Sequence, residues 1–487
     1  MTLRIGWSQR DITPNRPVLL AGQNYSRVSE GVQNPVTATA LALEGDGAQA
    51  IWVACDLVSV REDVIARVRE AVARRIPDFN ARDLILSATH THTAPELRVG
   101  RYPEAGGDAL SVAETADFFA ARAAEAAAAA WAARAPGGVS RAHSHAVVGH
   151  NRRSVFRDGS AKMYAFGGSA FRQVGDDFDG FEGYVDHGVD LLFTWNEARE
   201  LTGLIVNLAC PSQVTEHLRE ISADYWHETR RALRERYGEG LFILPQCAPA
   251  GDLSPHVQIN KRLEEEEMLS RLGRTQREEI ALRIGAAVDW VFDAARAEID
   301  FAPRFVHCAE TVALPRRMVT DKEAEAARAG IETLEQDEKM PSDQKHCRLR
   351  RNREVMRRYK EQDARPDLPA DLHVLRLGDA VLATNPFELF LDYGMRIKAR
   401  SPAAQAVLVQ LAGGSQGYLP TRRATESRLH AADRGKHGFL GNYSAGVAST
   451  PVGPEGGDAL VEATVARIDA IWAERDAPVA AGGAEKR

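Results

Sequence analysis

The sequence predicts an α/β fold of mixed α+β character, in which mixed sheets flanked by helices form one large domain with a charged helical insertion. Over about the first 300 residues, short apolar runs alternate with amphipathic segments of helical periodicity, which is the pattern of an α/β core. Neither an internal repeat nor a clear linker divides the 487 residues. We therefore expect one domain over residues 1–475, with its insertion at about 320–365, followed by a disordered tail over residues 476–487.

The predicted strands are short apolar runs bounded by polar, Gly or Pro residues. In order along the chain they are Thr37–Leu43, Ala50–Leu57, Asp83–Ala88, Leu191–Trp195, Leu201–Cys210, Leu241–Gln246, Phe305–Leu314, Leu372–Leu377, Ala380–Thr384 and Ala406–Leu411. The predicted helices instead carry apolar residues at helical spacing, as Val64, Ile65 and Val68 do in the first of them. They are Arg61–Arg75, an Ala-rich segment over Ala113–Ala135, Ala223–Tyr237, Arg262–Glu298, a charged hairpin over 321–364 broken near Pro341, and Asp458–Arg475.

The composition is that of a soluble globular protein, with 44% hydrophobic and 26% charged residues. A net charge of −7 gives no signature of nucleic-acid binding, and the basic cluster Arg348–Arg353 is predicted to be a solvated helix face. No apolar stretch is long enough for stable membrane insertion, and the N-terminal segment lacks the apolar core of a signal peptide. Five cysteines without a CxxC pair favour reduced thiols. We therefore expect a cytoplasmic protein without nucleic-acid partners.

The segment that points most directly to chemistry is Asp83–Thr93, where an apolar run is followed by His90, Thr91 and His92. Residues two apart lie on the same face of a strand, so we expect the two imidazoles to lie side by side at the strand end. Such a pair can share a metal, or one imidazole can bind the metal while the other handles a proton. A hydrogen-bonded pair of histidines that caps the strand is the structural alternative.

Four further segments share this character, because each is a strand-like run that ends in a loop of polar, Gly or Pro residues. They are Gly149–Ser154, Asn207–Gln213 with Glu216 and His217 after it, Gly251–His256, and Asn385–Glu388. Active sites of α/β folds collect at such strand ends. Taken singly, each segment is also compatible with ordinary turn or helix-terminus chemistry.

Together and in this order, the segments resemble the catalytic domain of the neutral/alkaline (non-lysosomal) ceramidase family. The resemblance spans about residues 5–470, and the similar stretches are Gly6–Pro14 with Ala21-Gly22, Ser87–Thr93, Asn151-Arg152, Gly251–Pro255, Pro386–Glu388, Gly417–Thr421 and Gly453–Gly457. In that family one zinc ion is held by two His, a Glu and a Tyr, and the enzyme hydrolyses the amide of an N-acyl sphingoid base. The resemblance therefore implies a zinc-dependent hydrolase.

Carried over to this sequence, the resemblance implies that His90, Glu388 and Tyr418 are zinc ligands and that His92 lies beside the metal-bound water. A zinc ion with an open coordination position lowers the pKa of its bound water to about 7 and polarises a carbonyl group.

The resemblance also implies roles for three residues that are not metal ligands. Arg152 and Tyr443 are expected to polarise the substrate carbonyl, since donors of this kind stabilise a tetrahedral oxyanion. Ser254 corresponds to a serine that acts either as a nucleophile or in substrate binding.

The second histidine ligand of the family has no direct counterpart here. The place after Ala209 reads Cys210-Pro211-Ser212-Gln213, and the nearest histidine is His217. We expect His217 to be the ligand, reached through a longer loop. Cys210 is an alternative because thiolate binds zinc well, and His227, in a helical setting, is a third.

We thus expect a zinc-dependent hydrolase that cleaves the amide C–N bond of a small or lipid-like N-acyl compound, of which ceramide is one option. Hydrolysis of an ester or lactone is an alternative because the oxyanion chemistry is the same. A metal-free binding or regulatory protein is the alternative from a different class. The sequence leaves open the acyl group, the amine, the oligomeric state and any second, structural metal.

Overall fold

A computed structural model describes residues 2–163, 177–429 and 443–473, so the predicted tail over 476–487 lies outside the described residues. The strands are β1 (Arg4–Asp11), β2 (Gly31–Val32), β3 (Thr37–Gly45), β4 (Ala48–Cys55), β5 (Leu84–Ala88), β6 (Ala135–His145), β7 (His150–Asn151), β8 (Arg153–Phe156), β9 (Ser160–Met163), β10 (Phe178–Phe181), β11 (Gly188–Asn196), β12 (Leu201–Leu208), β13 (Glu220–Ile221), β14 (Phe242–Cys247), β15 (Leu253–Ser254), β16 (Phe305–Pro315), β17 (Asp367–Leu377), β18 (Ala380–Thr384), β19 (Glu388–Leu389), β20 (Gln405–Val409), β21 (Tyr418–Leu419) and β22 (Arg428–Leu429). The α-helices are α1 (Glu62–Arg75), α2 (Val112–Ala132), α3 (Tyr225–Tyr237), α4 (Leu269–Leu272), α5 (Gln276–Ala297), α6 (Asp321–Gln336), α7 (Ser342–Glu361), α8 (Leu391–Arg400), α9 (Arg422–Glu426) and α10 (Pro454–Ala473).

Two mixed sheets organise the fold. The larger has eight strands in the order β14-β12-β11-β6-β1-β3-β4-β5, and the smaller has four in the order β16-β17-β18-β20. Strands β4 and β5 pair in parallel, as do β12 with β14 and β18 with β20, whereas β3 pairs antiparallel with both β1 and β4. The predicted α/β fold class with mixed sheets is therefore confirmed.

Side-chain alternation along the strands explains how the layers stack. In β11, Leu191 and Phe193 pack into a cluster with residues of α3 and α5, while Leu192 between them packs with side chains of the smaller sheet. Successive residues of a strand point to opposite faces, so one apolar strand serves two layers. Helices α1 and α2 cover the same outer face of the larger sheet at β1, β3 and β4.

The far face of the smaller sheet is covered by α8 and α10. Their apolar residues Tyr393, Ile397, Leu460 and Ile468 pack with side chains of β17 and β18. The resulting order of layers is helices, large sheet, small sheet, helices. Among the described helices, none has both the length and the apolarity that crossing a membrane requires.

The sequence did not predict β1 and β6, two strands inside the larger sheet. Strand β1 contains Gly6, and a Cβ at this position would lie 2.0 Å from the Ala130 carbonyl oxygen of α2. The glycine that weakens the strand pattern is thus what lets α2 lie directly on the sheet. Strand β6 carries glycine and polar residues and is fixed by its pairing with β11 along its length.

The helical region predicted from roughly Arg262 to Glu298 is present, but it is interrupted after Leu272. A π-helical segment, Arg262–Met268, runs into the short α4, which ends at Gly273 in the left-handed conformation. A new helix, α5, then begins with a capping box between Thr275 and Glu278. The predicted charged hairpin is present as α6 and α7, which pack on one another.

Candidate functional site

The two histidines of the Asp83–Thr93 segment do meet, but through a turn and not through strand alternation. Strand β5 ends at Ala88, and His90 has a φ of +63°, in the left-handed region that non-glycine residues rarely adopt. This turn brings His90 Nε2 to 3.3 Å from His92 Nε2, with the rings at 73° to each other. Backbone strain of this kind tends to be retained at functional sites.

The protonation of His90 is set by its surroundings. Its Nδ1 lies 2.7 Å from the Val58 carbonyl oxygen, which can only accept, so Nδ1 carries the proton and Nε2 has a free lone pair. Burial lowers the pKa of His90 to about 4 although the Glu388 carboxylate raises it, so the ring is neutral at physiological pH. The lone pair of Nε2 faces Glu388 Oε2 at 3.4 Å.

The position of His92 is set by Gly22 and Arg27, which come from a different part of the chain. Gly22 has a φ of +98°, and a Cβ at this position would lie 2.5 Å from His92 Cγ. The buried Arg27 donates to the His92 carbonyl oxygen at 2.6 Å and to that of Ala21 at 2.5 Å. The ring and the backbone of His92 are therefore both held in place.

A third acid–base group, Glu216, lies behind His92. Its Oε2 is 3.0 Å from His92 Nδ1, and its Oε1 is 3.4 Å from His256 Nε2. Burial would raise the pKa of Glu216, but the contacts with His256 and His92 hold it well below its usual range. A carboxylate that orients an imidazole is common both in acid–base catalysis and around metal-bound histidines. The sequence pointed to this loop but predicted its neighbour, His217, as the functional residue.

Glu388 and Tyr418 reach the histidines from the other sheet. They pair with each other across the short parallel strands β19 and β21, which follow β18 and β20. The Tyr418 hydroxyl hydrogen-bonds the Glu388 carboxylate, and burial together with this carboxylate raises the pKa of Tyr418 well above its usual value. Gly251 allows a close approach here, since a Cβ would lie 2.4 Å from the Glu388 carbonyl oxygen.

The three residues that the resemblance implies as non-ligands, Arg152, Tyr443 and Ser254, differ in how closely they approach the metal-ligand candidates. Arg152 is buried, and its Nη2 donates to the Gly251 carbonyl oxygen at 2.9 Å and to the Tyr418 hydroxyl at 3.3 Å. The Tyr443 ring packs against the Tyr418 ring with centroids 5.8 Å apart. Ser254 is fully buried and accepts from the His256 amide at 3.1 Å, and it does not line the cavity beside His90.

The structure does not bring His217, Cys210 or His227 to the histidine pair. His217 is exposed and is not among the described residues that line the cavity. The Cys210 thiol is buried against the Val148 and Pro211 carbonyl oxygens, and burial raises its pKa well above the usual value, which disfavours a thiolate. His227 lies in α3, beside a separate pocket near Gln9.

The group lies where the two sheets meet. His90 follows the edge strand of the larger sheet, and Glu388 and Tyr418 follow strands of the smaller one. Backbone hydrogen bonds join the two there, from the Ala88 amide to the Leu411 carbonyl at 3.3 Å and from the Gly413 amide to the Leu86 carbonyl at 3.0 Å.

A cavity of about 510 Å³ opens over these residues. His90, His92, Glu388, Tyr418 and Tyr443 all line it. Helix α7, from the predicted insertion, contributes the opposite wall with Arg350, Arg351, Arg357 and Arg358 among others. The prediction that Arg348–Arg353 is a solvated helix face is therefore wrong for two of its residues, because Arg350 and Arg351 face the cavity.

Among the described residues, no group of three or more His, Cys, Asp or Glu side chains is arranged so that it could hold a metal ion. A partial donor set is present, however, in the two facing imidazole nitrogens, the Glu388 carboxylate and the Tyr418 hydroxyl.

In comparisons with known proteins, no family model and no curated protein matches the sequence. Among solved structures, neutral ceramidase from Pseudomonas aeruginosa matches with a TM-score of 0.67 and 18% identity, covering 100% of this chain and 77% of that one. A structure described as ceramidase complexed with C2 matches with a TM-score of 0.63 and 17% identity, again covering 100% of this chain and 77% of the other. The chain therefore has the fold of neutral ceramidase, and the resemblance inferred from its motifs is confirmed at the level of the fold.

Proposed function

We propose that this protein is a zinc-dependent hydrolase that cleaves the amide C–N bond of an N-acyl compound by means of a water molecule. One observation carries the proposal. The unprotonated Nε2 of His90 faces a carboxylate oxygen of Glu388 at 3.4 Å, deep in a protein with the fold of neutral ceramidase. Two electron-pair donors so placed repel each other unless a cation lies between them.

The distances between the donors suit zinc. Tetrahedral zinc with nitrogen or oxygen ligands at about 2.0–2.1 Å places neighbouring donor atoms about 3.3–3.4 Å apart. The separations from His90 Nε2 are 3.3 Å to His92 Nε2 and 3.4 Å to Glu388 Oε2. We therefore assign His90, His92 and Glu388 as the three ligands, which leaves a fourth position for water, so that His92 takes the place expected of His217. The Tyr418 hydroxyl, which hydrogen-bonds Glu388, is an additional donor beside this position.

Bound zinc would supply an activated water and a Lewis acid for the substrate carbonyl. The water oxygen bonds to the acyl carbon, the C–N bond breaks, and the nitrogen leaves with a proton. Glu216 fixes the ring of His92 and also contacts His256, so this linked group can hold a proton during the transfer. Tyr443 lines the cavity and is the donor we assign to the developing oxyanion, whereas Arg152 acts by positioning Tyr418.

The reaction class is supported by the fold, because the matching structures are described as ceramidases and a ceramidase cleaves an amide. The setting we propose is the cytoplasm. None of the five cysteines, all of which lie in the described part of the chain, forms a disulfide, as expected for a reducing compartment, and four of them are buried.

Metal content and hydrolysis of simple N-acyl amines test the proposal together. Wild-type protein should carry about one zinc per chain by mass spectrometry of the metal, and removal of the metal with a chelator should abolish hydrolysis until zinc is restored. His90→Ala and Glu388→Gln should each lose both properties. His217→Ala is the matched control because it removes a nearby exposed histidine, and it should keep both.

The outcomes separate the alternatives. A protein that binds no metal and hydrolyses no amide in such a screen is the metal-free binding or regulatory protein, and the proposal is then refuted. Loss of zinc in His217→Ala but not in His92→Ala would mean that His217, and not His92, is the second histidine ligand. A preference for the ester analogue of the same acyl compound would identify an esterase at the same site.

A further inference from the structure

The cavity over the histidine pair is strongly cationic. Of the described residues that line it, nine are arginines and four are glutamates. A protein with a net charge of −7 has thus concentrated positive charge at one place, beside His90. Clefts lined by charge of one sign raise the local concentration of ions of the opposite sign.

Several of these arginines are already used by the fold. Arg357 pairs with Glu354 and Glu361, and Arg358 donates to backbone carbonyls, among them Thr450 at 3.1 Å. Arg101 forms an ion pair with Glu96 at 3.3 Å. Such groups fix the wall of the cavity and are poorly available to a ligand.

Arg98 and Arg350 are different, because their guanidinium groups have no hydrogen bond or ion pair within the described part of the chain. The Arg350 Nε atom is completely buried and has no hydrogen-bond partner among the described residues. Burial, followed by the charges of Arg101 and Arg98, lowers the pKa of Arg350 to about 10. For Arg98 the largest causes of its lowered pKa are burial and then Arg61 and Arg101. Among the described residues, like charges are therefore held close together, and the carboxylates that act on Arg98, those of Glu96 and Glu354, already pair with Arg101 and Arg357.

Helix α7 connects this cluster to the proposed site of hydrolysis. Arg350 and Arg351 are followed by Arg357 and Arg358, so that one face of the helix presents guanidinium groups to the cavity at helical spacing. Arg351 donates to Ser449 Oγ at 3.1 Å and lies over the Tyr443 ring, with its guanidinium carbon 5.8 Å from the centroid. Tyr443 in turn packs on Tyr418.

We propose that the substrate is an anionic amide, whose carboxylate or phosphate group binds between Arg98 and Arg350 while its amide lies at His90 and Glu388. The position of the amide rests on the proposed function, whereas the anion site rests on the arginines alone. Arginine forks bind both kinds of oxyanion through paired, charge-assisted hydrogen bonds. A cavity of about 510 Å³ with this lining fits a compact charged metabolite better than the two chains of a neutral lipid.

The test uses three N-acyl compounds that share one acyl chain: N-hexanoyl-glycine, N-hexanoyl-O-phosphoethanolamine and the neutral N-hexanoyl-ethanolamine. The full-length wild-type protein should hydrolyse one of the two anionic compounds about 10- to 100-fold more efficiently than the neutral one, and whichever it prefers identifies the oxyanion. Arg350→Gln should remove this preference. Arg353→Gln is the matched control, because Arg353 lies on the same helix but is exposed and paired with Glu335 at 3.0 Å, and it should keep the preference.

Calorimetric binding of inorganic phosphate and of N-hexanoyl-glycine separates this inference from the proposed function. If no amide is hydrolysed but either anion binds to wild type and not to Arg350→Gln, the anion site stands and the hydrolase does not. If the wild type and Arg350→Gln both cleave the neutral amide as efficiently as the anionic ones, the protein is a hydrolase but the proposal of an anionic substrate is refuted. Absence of both hydrolysis and anion binding refutes both.

Discussion

Replacement of Gly22 by alanine tests whether the position of His92 matters for the reaction. The added Cβ would lie 2.5 Å from His92 Cγ, about 1 Å closer than an ordinary contact between two carbon atoms. The ring must therefore move by about this amount, and a misplacement of about 1 Å in a catalytic group can reduce a rate by about 100-fold. We expect kcat/KM for the preferred N-acyl substrate to fall by about that factor in Gly22→Ala.

Backbone strain alone must be separated from this effect. Gly22 has a φ of +98°, which alanine adopts at a cost of about 1–3 kcal/mol. Gly47 offers a matched control, because its φ is +81° and a Cβ there has nothing within 4 Å. Gly47→Ala should lose a similar free energy of unfolding, as measured in urea, and keep its activity.

The comparison between the two variants can refute the reasoning. Equal activity in Gly22→Ala and Gly47→Ala, at similar stability, would mean that the ring of His92 is not positioned by Gly22 or is not needed for hydrolysis. A loss of activity in both would mean that the effect comes from general destabilisation.

Three further results are expected from other parts of the molecule. Arg230→Met should lower the free energy of unfolding by about 3–5 kcal/mol. The fully buried Asp56 would lose the guanidinium group that now contacts it at 2.8 and 2.9 Å. A loss below about 1 kcal/mol, measured by unfolding in urea, would contradict this expectation. Burial and the nearby His187 lower the pKa of His150 to about 4, whereas the unfolded chain takes up this proton near pH 6.5. The free energy of unfolding should therefore be highest above about pH 6.5 and decline as the pH falls toward 4. His150→Gln should flatten this decline, and an unchanged decline would mean that other groups cause it. Titration of the native protein with a thiol reagent should label about one cysteine quickly, Cys308, since the other four are buried; rapid labelling of several would contradict the packing.

The layers of the fold could be predicted because burial leaves a local pattern. Leu204, Ile205 and Val206 in β12 are consecutive apolar residues since both faces of the strand are covered, and such a run is visible in the sequence. Strand β1 escaped detection because its central requirement is the absence of a side chain at Gly6, which depends on where α2 packs. Nothing in the local sequence records that contact.

The candidate site likewise has residues that local sequence patterns predict and contacts that form only in the folded chain. The motifs around His90 and Glu388 were visible because each follows a predicted strand, whereas Tyr418 was predicted only through the resemblance to the ceramidase family. The pairing of Glu216 with His92 was not visible, since it joins loops more than 120 residues apart that meet only in the folded chain. The arginines of the cavity wall were misjudged for a similar reason: a basic helix face has the same sequence whether it meets water or a cavity.

The meeting of the two sheets at His90 and Glu388 has a thermodynamic consequence. Any ligand that bridges these residues joins the larger sheet to the smaller one and binds only when the sheets are docked. By mass action, such a ligand at a thousand times its dissociation constant would add about 4 kcal/mol to the stability of the docked state. Binding of the ligand and docking of the two sheets are then linked. A mutation that weakens the contact between the sheets would therefore also weaken ligand binding, even if the mutated residue lies far from the histidines.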